Sequence, residues 1–157
     1  MNKIKSVLLV CTGNSCRSVM AEGLLKKYLK ELGKGGIEVG SAGVHAIDGI
    51  GPTKETIEVM KKEGVDVSVF KSRALTNELI KRSDIVLVMA GHHMDDIITR
   101  MPDAAPKTHI LKQFGVEFET RPCDELDVAD PIGRPLDFYE EVLSKIKKEM
   151  KRIAQIL

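Results

Sequence analysis

The sequence predicts an α/β domain in which a parallel sheet is covered by helices on both faces. Two observations indicate this class: strand-like apolar runs alternate with helical patterns, and no internal repeat or linker interrupts them. Strands that alternate with helices are typical of parallel sheets, because each parallel pair needs a crossover connection. At 157 residues and 43% hydrophobic content, the chain is long enough for one domain with its own core, over residues 1–157.

The predicted elements follow in order along the chain. Apolar runs predict strands at residues 7–10, 37–39, 85–89 and 108–111. Helical periodicity predicts helices at residues 18–32, 52–63, 77–82, 92–100 and 136–156. Glycines close the first two helices, and the last helix carries a single apolar stripe that predicts burial of one face. That stripe consists of Phe138, Val142, Ile146, Met150 and Ile153.

Composition and charge exclude several classes of function. The net charge of +1 favours neither a nucleic-acid partner nor a membrane surface. The sequence has no apolar run of transmembrane length and no signal-peptide pattern at its start. Three cysteines, an odd number, argue against a secreted disulfide framework. We therefore expect a cytoplasmic protein.

The loop after the first predicted strand carries the strongest chemical signal. Residues 11–18 read Cys-Thr-Gly-Asn-Ser-Cys-Arg-Ser and lead into the first predicted helix. The five residues between Cys11 and Arg17 are enough for the backbone to curl round a phosphate with its N–H groups inward. Gly13 and Asn14 tolerate the left-handed conformation that such a curl needs, and Ser18 is predicted to be the helix N-cap.

The side chains of this loop predict a nucleophile beside a phosphate. Arg17 can donate two hydrogen bonds at once to phosphate oxygens, and the Cys11 thiolate is placed to attack phosphorus. The alternative is that Cys11 is a small buried residue and Arg17 a surface charge. The strand before the loop, the helix after it and the residues within it all agree with the phosphate hypothesis.

A candidate acid lies far along the chain, in Asp130-Pro131. Hydrolysis of a phosphate ester by a cysteine needs an acid for the leaving group, and proline stiffens the segment that presents Asp130. The alternative is an ordinary turn before the last helix. Other nearby carboxylates could take the same role: Asp124, Glu125 and Asp127.

With both motifs, the chain resembles the low-molecular-weight protein tyrosine phosphatase family over essentially its whole length. The matching segments are residues 11–18, Met20-Ala21-Glu22, Ser41-Ala42-Gly43, Ser72-Arg73 and Asp130-Pro131. The resemblance implies a flavodoxin-like three-layer sandwich, with a four-stranded parallel sheet and a phosphate-binding loop after strand 1. It also implies a two-step reaction on a phosphorylated protein, without metal or organic cofactor. We expect no nucleic-acid or membrane partner, and a monomer or weak homodimer.

The same resemblance implies a role for each matching residue. Cys11 would form phosphocysteine, Arg17 would stabilise the phosphoryl oxygens, and Asp130 would act as acid and then as base. Ser18 would hydrogen-bond the Cys11 thiolate, and Asn14, with help from Ser41, would hold the loop in shape. Cys16 would pair with Cys11 on oxidation or else serve as a packing residue. The residues expected to surround the substrate are Thr12, Gly13, Asn14, Ser15, Cys16 and Ser18.

Three departures from the family pattern bear on the substrate. Phe70 stands where many relatives carry a histidine that braces the loop asparagine, and Ile132-Gly133 replaces an aromatic pair. Ser15 stands where tyrosine phosphatases carry a bulky aliphatic residue. A branch of the family that acts on phosphoarginine has threonine there, so phosphoarginine is the alternative substrate.

Other functions fit the sequence less well. Arsenate reductases of this fold share the loop but need two further cysteines near the third strand, where residues 86–93 have none and only Cys123 remains elsewhere. A phosphocarrier or an inactive binding module would not need Asp130. His92-His93 with Asp95 and Asp96 are more typical of a helix start than of a metal site, and we expect no metal.

Overall fold

The structure is a computed structural model that describes residues 3–118, 120–122 and 125–157. Its four strands are β1 (Ser6–Cys11), β2 (Glu38–Gly43), β3 (Ile85–Val88) and β4 (Thr108–Ile110). Its five α-helices are α1 (Arg17–Glu31), α2 (Lys54–Lys62), α3 (Asn77–Arg82), α4 (Gly91–Arg100) and α5 (Leu136–Ile156), and a 3-10 helix spans Pro102–Lys107. No helix in the described part of the chain is long and apolar enough to cross a membrane.

The four strands form one parallel sheet in the order β2-β1-β3-β4. Val7 of β1 pairs with Val39 on one side and with Ile85 on the other, so β1 lies between the two strands that follow it in the chain. The chain therefore passes from β1 to β2 on one side of β1, and then from β2 to β3 on the other side of β1. In open parallel sheets, ligands bind at the carboxyl edge where this reversal occurs, which is the end of β1 here.

Helices cover both faces of the sheet, as the alternation of elements predicts. Val7, Leu9 and Cys11 of β1 pack with α1, α2 and α5, whereas Leu8 and Val10 pack with α3 and α4. This alternation follows from the two-residue period of a strand that is buried on both faces. The apolar stripe of α5 faces α1, and four of its five residues are buried: Val142, Ile146, Met150 and Ile153. The predicted three-layer α/β fold with a four-stranded parallel sheet is confirmed.

The second strand departs most from its predicted bounds. It runs to Gly43 instead of ending at residue 39, and each residue from Glu38 to Gly43 pairs with β1. Gly40, Ser41, Ala42 and Gly43 have little intrinsic strand preference, so pairing with β1 rather than propensity extends the strand. The 3-10 helix at Pro102–Lys107 was not predicted, and β3 ends one residue early, at Val88.

The end of β2 lies directly against the loop after β1. The Val44 amide donates to the Cys11 carbonyl at 3.0 Å, and the His45 amide donates to the Thr12 carbonyl at 2.9 Å. A Cβ at Gly43 would lie 2.5 Å from the Thr12 carbonyl oxygen and 2.9 Å from the Asn14 nitrogen. Both are main-chain atoms, so only glycine lets the strand approach the loop this closely.

Gly43→Ala should therefore lower the free energy of unfolding by about 1–3 kcal/mol, the usual cost of overpacking. Gly36→Ala is the matched control, because a Cβ there would meet nothing within 4 Å. Urea unfolding of both variants checks the prediction, and equal stability of Gly43→Ala and wild type would contradict it.

Candidate active site

The loop between β1 and α1 has the backbone of an anion-binding site. Asn14 has a φ of 52°, and among the described residues it is the only non-glycine residue with a positive φ. Of the two residues that tolerate the left-handed conformation, Asn14 adopts it and Gly13 does not. Among the described residues, no backbone N–H from Gly13 to Cys16 donates a hydrogen bond within the chain. Free N–H groups of this kind, next to a helix N-terminus, suit a bound anion.

Ser18 is not the N-cap of α1, contrary to the sequence prediction. The helix begins at Arg17, and Cys16 holds the N-cap position without a side-chain hydrogen bond. The Ser18 hydroxyl instead turns to the loop, where it lies 2.9 Å from Cys11 Sγ and accepts from Asn14 Nδ2 at 2.7 Å. Because its oxygen already accepts that bond, its own hydrogen is free for the Cys11 sulfur. Both side chains are buried.

The Asn14 amide is the centre of a buried network that fixes the loop. Its Nδ2 also donates to Ser41 Oγ at 3.0 Å, and its Oδ1 accepts from the Arg73 backbone N–H at 3.0 Å. Ser41 in turn donates to Glu22 Oε1 at 3.0 Å. Phe70, which replaces the bracing histidine of relatives, is half-buried against the core. The partners of Asn14 are therefore serine hydroxyls and a main-chain amide.

Two members of this network were not singled out as site residues from the sequence. Glu22 receives the Ser41 hydroxyl, and Arg73 donates its Nε to the Ser41 carbonyl at 2.8 Å in addition to its backbone bond to Asn14. Both residues lie in segments that carry the family resemblance, which is the sequence signal that points to them. Their contact with the loop cannot be predicted from spacing, because both are distant from the loop or on another element of the chain.

Arg17 connects the loop with the segment that precedes α5. Its guanidinium is buried and donates to the Val128 carbonyl at 2.9 Å and to Thr12 Oγ1 at 3.2 Å. The same group lies 3.5 Å from Asp130 Oδ2. The Asp130 side chain is 43% exposed, so it forms the open side of the site. The two motifs found in the sequence are thus brought together.

The neighbouring carboxylates are placed differently from Asp130. Asp127 Oδ1 accepts the Gly91 N–H at 2.9 Å, at the N-terminus of α4. Glu125 is exposed, and Asp124 and Cys123 lie outside the described residues. Asp130 Oδ1 accepts the Ile132 N–H at 3.1 Å, which leaves Oδ2 toward Arg17. Among the described carboxylates of this segment, Asp130 alone forms an ion pair with Arg17.

Cys16 lies on the far side of the loop from Ser18, among polar partners. Its Sγ is 3.6 Å from Thr53 Oγ1 and 3.7 Å from the Tyr139 hydroxyl, and burial raises the pKa of Tyr139 to about 12. Cys11 and Cys16 are both free, buried thiols. The Ser15 hydroxyl is 3.7 Å from Cys16 Sγ, and Ser15 is half-buried.

The three histidines near the loop differ sharply in exposure. His45 and His92 are exposed, but His93 is fully buried and its Nε2 lies 2.9 Å from Thr12 Oγ1. Burial and the nearby Arg17 charge lower the pKa of His93 to about 3. The contact with Thr12 was missed because nothing in the sequence distinguishes His93 from His92. The described residues hold no group of three or more His, Cys, Asp or Glu side chains arranged for a metal.

A cysteine and an arginine at the two ends of an anion-binding loop, with a carboxylate facing them, define the class of cysteine-dependent phosphatases. The family model described as low molecular weight phosphotyrosine protein phosphatase matches residues 6–157. The chain therefore belongs to this family, as the sequence predicts.

The relatives include both branches of the family. The chain is 37% identical to a probable low molecular weight protein-tyrosine-phosphatase EpsP of Ralstonia nicotianae, over 92% of this chain and 90% of the relative. It is also 37% identical to a protein-arginine-phosphatase of Geobacillus stearothermophilus, over 96% of this chain and 95% of the relative. The crystal structure of a low molecular weight protein tyrosine phosphatase from T. tengcongensis superposes with a TM-score of 0.87 at 38% identity, covering 97% of this chain and 99% of that one.

Loss of the Asn14 amide should destabilise the protein as well as the loop. Asn14→Ala removes two buried hydrogen bonds and one partly buried hydrogen bond and leaves a residue that disfavours the left-handed conformation, so we expect about 2–4 kcal/mol lower stability in urea unfolding. Asn77→Ala, at an exposed position in the first turn of α3, is the control and should change stability by less than about 0.5 kcal/mol. Similar losses in the two variants would refute the importance of the network.

Proposed function

We propose that this protein hydrolyses phosphotyrosine in proteins through a phosphocysteine on Cys11, with phosphoarginine as the alternative substrate. The observation that carries the proposal is the placement of Arg17 between the loop and Asp130. One buried guanidinium contacts the loop through Thr12 and faces Asp130 at 3.5 Å, while Ser18 lies 2.9 Å from the Cys11 sulfur. A phosphoryl group held by the loop would have the Cys11 nucleophile on one side and the Asp130 acid on the opposite side.

In the first step, Cys11 attacks phosphorus. An S–P bond forms and the bond from phosphorus to the phenolic oxygen breaks, while Asp130 donates a proton to that oxygen. The free N–H groups from Gly13 to Cys16, together with Arg17, stabilise the three equatorial oxygens. Ser18 provides a hydrogen bond for the sulfur when it leaves again as thiolate.

In the second step, water releases the phosphate. The Asp130 carboxylate takes a proton from water, an O–P bond forms, and the S–P bond breaks to return the Cys11 thiolate and inorganic phosphate. The exposure of Asp130 supports this role, because the group must meet first the substrate and then water. No metal or organic cofactor enters either step.

Two competing functions fit the chain less well than phosphatase activity. Thiol-linked arsenate reduction needs resolving cysteines near β3, and the end of that strand continues as Val88-Met89-Ala90. A phosphocarrier needs no acid for a leaving group, yet Asp130 faces the site.

The choice between phosphotyrosine and phosphoarginine depends on the walls of the site. Identity does not decide it, because a probable tyrosine phosphatase and an arginine phosphatase are both 37% identical to this chain. Ile132 is 56% exposed two residues after Asp130, and it stands where the typical tyrosine phosphatase has an aromatic residue to stack on the phenol ring. Ile132 and the Ser15 hydroxyl are the two features that favour phosphoarginine, since a polar group at position 15 suits a guanidinium better than a ring.

We also propose one catalytic domain over residues 1–157, a cytoplasmic location, and a monomer or weak homodimer. The domain is supported by the packing of α1 on α5, which joins the two ends of the chain.

Replacing the nucleophile or the acid should separate the two roles. Cys11→Ser should abolish turnover of a phosphotyrosine peptide but still bind inorganic phosphate. Asp130→Asn should slow turnover by about a hundredfold or more, the usual loss for a general acid. Asp95→Asn, on the exposed face of α4, is the matched control and should keep wild-type rates. Activity that survives in Cys11→Ser would exclude the phosphocysteine mechanism.

Matched peptides that carry phosphotyrosine or phosphoarginine test the substrate. We expect wild type to release phosphate faster from phosphotyrosine, and Ser15→Ile to depress release from phosphoarginine more than from phosphotyrosine. Ser15→Thr keeps the hydroxyl and should behave as wild type. Faster wild-type release from phosphoarginine, lost in Ser15→Ile, would reverse the assignment.

A further inference from the structure

His93 lies behind the loop, outside the chemical steps described above. It is in the first turn of α4, none of its side chain is exposed, and its Nε2 is 2.9 Å from Thr12 Oγ1. The same Thr12 oxygen is 3.2 Å from the Arg17 guanidinium. The Thr12 hydroxyl therefore connects the buried histidine of α4 with Arg17 at the end of the loop.

The chemistry of these groups fixes the direction of one of the two hydrogen bonds. A guanidinium can only donate, so the Thr12 oxygen accepts from Arg17. The hydroxyl of Thr12 keeps one hydrogen and a second acceptor site, so it pairs with Nε2 of a neutral His93 in either tautomer of the imidazole. The imidazole is neutral because burial, together with the positive charge of Arg17, lowers the pKa of His93 to about 3.

We propose that His93 is a positioning residue that orients the Thr12 hydroxyl and thereby fixes the Arg17 guanidinium on the loop. This inference rests on the proposed role of Arg17 in holding the phosphoryl group. It assigns to α4 a part in the site that none of the predicted site residues carries.

The other partners of Arg17 show why the loop needs this support. Val128 and Asp130 both belong to the segment before α5, so they hold the guanidinium to that segment and not to the loop. Among the described residues, Thr12 is the loop residue whose side chain accepts a hydrogen bond from Arg17. If the Thr12 side chain rotates about χ1, its oxygen moves away, and the guanidinium keeps its contacts with the segment before α5 but loses its hydrogen bond to the loop.

The burial of a polar ring supports a role beyond packing. His93 Nδ1 has no hydrogen-bond partner among the described residues, which carries a free-energy cost that an apolar side chain of similar size would avoid. An imidazole at this position is therefore explained by what Nε2 does, and Nε2 contacts Thr12.

The test compares His93→Leu, which removes the hydrogen-bond partner of Thr12, with His93→Gln, whose amide can place an oxygen or a nitrogen near the position of Nε2. Calorimetric titration of the purified protein with inorganic phosphate and with orthovanadate measures the effect on Arg17, because vanadate resembles the five-coordinate transition state. We expect His93→Leu to weaken vanadate binding about fivefold to tenfold, the loss typical of one hydrogen bond, and phosphate binding less. His93→Gln should restore most of the affinity, and kcat on a phosphotyrosine peptide should fall with little change in KM.

A packing role alone would lower the thermal midpoint without changing the ratio of vanadate to phosphate affinity. The double variant Thr12→Val/His93→Leu should bind vanadate no more weakly than Thr12→Val, since His93 acts through Thr12. His92→Gln, at the exposed neighbouring position, should match wild type. Unchanged vanadate binding in His93→Leu, equal losses in the Leu and Gln variants, or additive losses in the double variant would overturn the proposal.

The same experiment distinguishes this inference from the proposed function. A wild-type protein that binds both anions but hydrolyses neither phosphopeptide would contradict the phosphatase proposal and leave the His93 comparison intact. A wild type that hydrolyses a phosphopeptide, together with a His93→Leu variant of wild-type kcat and vanadate affinity, would refute only the role of His93.

Discussion

The buried guanidinium of Arg17 is the interaction on which the site depends. A buried positive charge needs partners, because an unpaired ion in the interior is strongly unfavourable. Arg17 has three, and they come from the loop and from the segment before α5. The requirement to neutralise and hydrogen-bond one charge therefore brings together two segments that are distant in sequence. The sheet places the loop, but Arg17 determines where Asp130 stands relative to the loop that carries Cys11.

A second hydrogen-bond network, centred on the uncharged side chain of Asn14, holds the loop in shape. Asn14 uses both its donor and its acceptor, and the left-handed turn at this residue directs them toward Ser41 and Arg73. Gly43 lets β2 approach closely enough for these bonds to form. The shape of the loop is thus set before any phosphate binds, which lowers the cost of organising the site during the reaction.

The sequence predicts the elements and the catalytic loop well, because both depend on local patterns. Periodicity locates α5, whose predicted and observed bounds agree, and the Cys11 to Arg17 spacing locates the loop. What the sequence does not predict depends on tertiary contact. Ser18 resembles an N-cap locally, but the buried bonds to Cys11 and Asn14 compete for its hydroxyl. β2 extends through small residues because β1 pairs with it. Glu22, Arg73 and His93 gain their places only when distant segments meet.

The ion pair between Arg17 and Asp130 has a consequence for how a substrate enters and how the product leaves. The carboxylate of Asp130 lies 3.5 Å from the guanidinium, so the chain itself supplies an anionic partner for this buried charge. In the proposed reaction, a bound phosphoryl group would share the guanidinium with Asp130, and the carboxylate would regain the whole contact once phosphate departs. The buried charge would then have an anionic partner at every stage of the cycle, and Asp130 would compete with the product for it.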